Sequence, residues 1–73
     1  MTTDNFALAL RAFARRQPFR PFAIEFVTGA KLVIRHPELV FMRHELFVYM
    51  DPAYHYRIFD SSSVCQLLDP PTD

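Results

Sequence analysis

Cys65 is the only cysteine among 73 residues, so no disulfide can form within the chain. The same scarcity excludes a cysteine-rich structural zinc site. A lone thiol fits a reducing interior, and the expected location is the cytoplasm. Gly29 is likewise the only glycine, which excludes a Gly-rich loop built to cradle phosphate. Nothing approaches the roughly 18 consecutive apolar residues of a membrane span. The run FALALRAFA is too short for one, and its arginines follow the apolar residues, the reverse of a secretory signal. Net charge is also missing, with eight Lys and Arg against eight Asp and Glu. Nucleic-acid-binding domains are usually basic.

Aromatic side chains, in contrast, are plentiful: eight Phe and three Tyr. Each can bury on the order of 150–250 Å². A chain of this length forms one domain and buries only about 60% of the surface exposed on unfolding. Small scaffolds usually need a disulfide, a metal or a partner subunit. With cysteine chemistry excluded, association or an unusually apolar core is left, and some aromatic surface is expected to be covered by another chain. Charge is also unevenly placed. Residues 1–35 hold six basic against two acidic side chains, and residues 36–73 hold two against six. Such a split permits head-to-tail self-association or an anionic partner for the first half, but the favoured reading is that the halves neutralise each other within one small globule.

The segment TTDNFALALRAFARRQ predicts a helix over about 4–16. Thr3 or Asp4 can cap its free N–H groups. Phe6, Leu10 and Phe13 recur at helical spacing with Ala9 between them, while Leu8 falls off the stripe. Pro18 ends the helix, and QPFRPF follows as a stiff connector over 18–22. Period-two alternation then predicts strands over about 22–28, 31–36, 39–43, 46–50, 54–59 and 64–68. Thr28-Gly29-Ala30 is a tight turn, Pro37 stops a strand, and Arg43-His44-Glu45 and Asp51-Pro52-Ala53 are turns. Ser61 to Ser63 suit one short helical turn, and residues 69–73 a frayed tail. The expected fold is mainly β with one N-terminal helix: a five- to six-stranded antiparallel barrel or strongly bent sheet. In element order it resembles the SH3-like and Sm-like barrels. Closure would remove exposed strand edges.

RHPELVFMRHE, residues 35–45, gathers two histidines and two glutamates, as a metal or acid–base site would. A zinc site needs three or four converging ligands. If Pro37-Glu38 is the turn, His36 and His44 lie at opposite ends of a strand pair, some 20 Å apart at ~3.3 Å per residue. No metal is expected there, and a hydrolase built on His36, Glu38 and His55 is a distant reading. Ser61, Ser62, Ser63 and Cys65 offer hydroxyls and a thiol without a nucleophile motif, and Cys65 is expected to behave as a small buried hydrophobe. No catalytic, cofactor-binding or metal-ligating residue is expected, and no enzymatic activity. The candidate interaction surface is Arg11, Arg15, Arg16 and Arg20 with His55. The arginines offer a basic strip, and His55 a partly exposed contact between two tyrosines.

Residues Arg16, Pro18, Phe19, Pro21, Phe22, Gly29, Val33, His36, Pro37 and Glu38 spell Arg-x-Pro-Phe-x-Pro-Phe, a glycine turn, and Val-x-x-His-Pro-Glu. In this the chain resembles a group of short uncharacterised bacterial proteins, over about residues 6–40. Thr28 stands where that group more often has aspartate. The resemblance carries no catalytic residue across. The expected function is a non-catalytic interaction or assembly module that self-associates or binds an unidentified protein. The alternative is an Sm-like protein that binds single-stranded RNA.

Overall fold

The computed structural model describes residues 1–51, 53 and 55–71. Helix α1 (Thr3–Ala14) begins where Thr2, in extended backbone, accepts the Asn5 N–H at 3.1 Å. The cap is therefore Thr2 and not Thr3 or Asp4, because a cap must stand outside the helical backbone and Thr3 is already in it. The apolar stripe faces inward as its spacing requires. Phe6 is fully buried and Leu10 and Phe13 partly so, whereas Leu8 is 65% exposed. The helix ends two residues before the expected Arg16. Arg15 takes up non-helical backbone, and Arg16 is drawn into an ion pair with Asp69.

Six strands follow: β1 (Phe22–Phe26), β2 (Lys31–Ile34), β3 (Val40–Arg43), β4 (Leu46–Met50), β5 (Tyr56–Asp60) and β6 (Val64–Leu68). They form two three-stranded antiparallel sheets, ordered β2-β1-β6 and β3-β4-β5. Among the described residues no strand pairing joins the two sheets. The chain changes sheet twice, each time through a 3₁₀ turn: Pro37–Leu39 after β2 and Ser61–Ser63 after β5. Proline at the first position suits the former, where its missing N–H goes unused. Asp60 caps the latter, its carboxylate accepting the Ser63 N–H at 3.2 Å and the Ser62 hydroxyl at 2.7 Å.

Several expected strand ends move for local reasons. β1 stops at Phe26, because the Phe26 N–H bonds the Ala30 carbonyl and the Gly29 N–H bonds the Phe26 carbonyl, both at 2.8 Å. That tight closure needs Gly29 at φ +92°, a region costly for residues with a Cβ. The β3–β4 link is two residues, His44-Glu45, and His44 adopts φ 57°. A positive φ at the first position matches the twist of the flanking strands. β5 runs from Tyr56 to Asp60; of the strand expected over 54–59, Tyr54 lies outside the described residues. So do Pro52 of the expected turn and Thr72 and Asp73 of the expected tail.

The core lies between the sheets, under α1. Phe6, Phe22, Ile24, Ile34, Phe47, Tyr49 and Val64 are each at most 2% exposed. Aromatic edges knit the layers: Phe6 meets Phe47 at 4.6 Å between centroids, and Phe26 meets Phe59 at 5.0 Å. Phe13 meets Phe22 at 5.2 Å. One helix thus grips both sheets, through Phe6 on β4 and Phe13 on β1. The fully buried rings Phe6, Phe22 and Phe47 each contribute on the order of 1.5–3 kcal/mol by burial, and an edge-to-face pair adds about 0.5–1.5 kcal/mol.

Candidate interaction surface

Strand pleating divides the β3-β4-β5 sheet into two faces. Val40, Met42, Phe47, Tyr49, Arg57 and Phe59 share the face turned to the core, with Phe47 and Tyr49 fully enclosed and Met42 and Arg57 exposed at its margin. The opposite face holds Phe41 and Arg43 on β3, Leu46, Val48 and Met50 on β4, and Tyr56, Ile58 and Asp60 on β5. Among the described residues nothing covers the edges of this second face. Phe41 is 56% exposed, Leu46 49%, Tyr56 65% and Ile58 63%. The register aligns them in rows across the strands. Phe41, Val48 and Ile58 form the middle row, Met50 pairs with Tyr56, and Arg43, Leu46 and Asp60 form the row beside the His44-Glu45 turn.

The other sheet treats its outer face differently. There Lys31, Glu25 and Gln66 form a row, and Gln66 donates to the Glu25 carboxylate at 2.5 Å. That row is an ordinary solvated surface. The same outer face also carries an apolar row, Val33, Ala23 and Leu68, but these are buried or half-buried, whereas the outer face of β3-β4-β5 leaves large apolar side chains exposed. Strands buried on both faces read as continuous apolar runs, and LFVYM in β4 is such a run.

The arginines expected to form a strip are divided among separate tasks. Arg16 pairs with Asp69, donates to the Arg20 carbonyl at 2.7 Å, and lies 4.8 Å over the Phe13 ring. Arg20 approaches the same Asp69 at 3.7 Å. Asp69, expected in a frayed tail, is thereby fixed against the end of α1. Arg15 is exposed, and Arg11 borders an open groove of about 180 Å³ with Ala7, Leu10, Val40 and Met42. His55 has a 77% exposed side chain, 3.9 Å from the Asp51 carboxylate. It is not brought near the arginines by any contact among the described residues.

His36 sits 3.6 Å from Glu38, with both side chains largely exposed. Among the described residues no three His, Cys, Asp or Glu side chains gather as a metal site would require. Cys65 departs from its expected burial. It is exposed, because the β1–β6 register shifts between Glu25–Gln66 and Phe26–Val64, leaving Cys65 as the extra residue of a bulge. No described helix is long and apolar enough to cross a membrane. No family model, curated protein or solved structure matches the chain.

Proposed function

We propose that this protein is a non-catalytic, cytoplasmic interaction module whose working surface is the outer face of β3-β4-β5, and that it self-associates through it. One observation carries the reading: four large apolar side chains on one flat face are each about half exposed or more. The largest apolar patch on a soluble protein, typically a few hundred Å², is often a functional contact surface. On this reading Phe41, Leu46, Tyr56 and Ile58, and not the arginines and His55, make the contact. The order of strands and 3₁₀ turns, with a short helical turn before the last strand, supports an SH3-like or Sm-like relationship for the fold.

Light scattering during size exclusion tests the reading. The wild type is expected to rise above monomer mass as concentration increases, and Ile58→Glu to stay monomeric, with a circular-dichroism melt matching that of the wild type at a dilution where the wild type is monomeric. Monomeric wild type at every concentration would refute it. RNA binding is the rival. It requires a gel shift with pooled short RNAs that weakens steeply with salt, since phosphate contacts release counterions. Absent or salt-insensitive binding is expected, because Arg16 and Arg20 already share Asp69.

A further inference from the structure

Resting on that self-association, we infer that the second copy docks face to face about a two-fold axis parallel to β4, locked by reciprocal Arg43–Asp60 ion pairs. The charges on the face select this arrangement. Among the described residues Arg43 and Asp60 are its only charged side chains, and they stand in the same row on opposite edge strands, with Leu46 between them. Arg43 makes no ion pair among the described residues. Asp60 uses one carboxylate oxygen, Oδ1, to cap the following turn. Its Oδ2 accepts no hydrogen bond among the described residues.

An axis along β4 sets β4 on the partner's β4 and each β3 on the other copy's β5. Rows are preserved, so Arg43 meets the partner's Asp60 twice, once at each edge. Phe41 then lies on the partner's Ile58, and Val48 on the partner's Val48. An axis across the strands instead reverses the rows. It places Arg43 and Asp60 of each copy against the end bearing Met50 and Tyr56. Four charges would lose water without gaining a partner, and an unpaired buried charge is strongly destabilising. Self-complementarity in charge and apolar shape is what a two-fold interface requires, and packed sheets keep their strands within about 30° of each other.

Area sets the strength. With β3 of four residues and β4 and β5 of five, strands about 4.8 Å apart make a footprint of roughly 230 Å². Even with side-chain relief doubling it, the contact stays below the ~800 Å² per partner of standard stable interfaces. A small, reversible contact is expected, not a permanent dimer.

Charge exchange tests the geometry. In Arg43→Glu alone, the new carboxylate at position 43 faces the partner's Asp60. In Asp60→Lys alone, the new ammonium at position 60 faces the partner's Arg43. Each homodimer is therefore expected to weaken about tenfold or more. An equimolar mixture of the two variants forms heterodimers in which both edge pairs are again opposite in sign. Sedimentation velocity should then recover dimer to within about threefold of wild type. If Asp60→Lys disturbs the capped turn, Asp60→Asn mixed with Arg43→Glu keeps one attractive pair and removes repulsion. That mixture should exceed Arg43→Glu alone. A wild-type dimer indifferent to these exchanges would overturn the docking geometry and leave self-association standing. A wild type that stays monomeric would overturn both.

Discussion

Phe6→Ala should cost this protein a large share of its stability. The ring is fully buried, set edge-on to Phe47 at 4.6 Å and tilted against Phe59 at 6.0 Å. Truncating such a ring costs about 3–5 kcal/mol, from lost transfer energy and the cavity left behind. A domain this size has roughly 4–11 kcal/mol in total at 0.05–0.15 kcal/mol per residue. The melting temperature should therefore fall by more than about 12 °C, at ~4–8 °C per kcal/mol. Leu8→Ala, two residues along the same helix and 65% exposed, should stay within about ±0.5 kcal/mol. Chemical denaturation followed by circular dichroism measures both, at one low protein concentration so that association does not shift the midpoint. If Phe6→Ala cost under about 1 kcal/mol, far below the usual range for a buried ring, or no more than Leu8→Ala, then α1 would not clasp the two sheets as described.

Two further outcomes follow from contacts unrelated to the sheet face. Arg16→Ala should destabilise by about 1–2 kcal/mol, losing an ion pair, a backbone hydrogen bond and stacking on Phe13; Arg15→Ala, exposed, should be neutral, and equal effects in thermal melts would contradict that division. Cys65 in native protein should react with a thiol reagent at nearly the rate seen in denaturant, because the bulge exposes it; strong protection would place it back in the core.

The helix, β4, β6 and the helical turn at Ser61–Ser63 are legible in the sequence because they rest on local signals. Apolar spacing in Phe6, Leu10 and Phe13, and proline or serine punctuation, act within a few residues. What the sequence hides depends on distant partners. Arg16 and Asp69 are 53 positions apart, so the pairing that divides the basic strip leaves no local trace. Cys65 looks like any strand residue until the register with β1 creates the bulge. The left-handed His44 is set by the two strands it joins, not by its own preference. The exposed apolar face of β3-β4-β5 is half visible. An excess of aromatic side chains points to a covered face, and VFMR, LFVYM and YRIFD carry apolar residues at both parities. Which parity α1 covers is decided only once Phe6 is placed on Phe47.

The most direct test is an isotope-filtered nuclear Overhauser experiment on an equal mixture of labelled and unlabelled protein at millimolar concentration. Contacts between molecules should join the Phe41 ring to Ile58 methyl groups, and Val48 to Val48. Signals arising instead from Leu8 on α1, or no signal between molecules at all, would show that the outer face of β3-β4-β5 is not where a second copy sits.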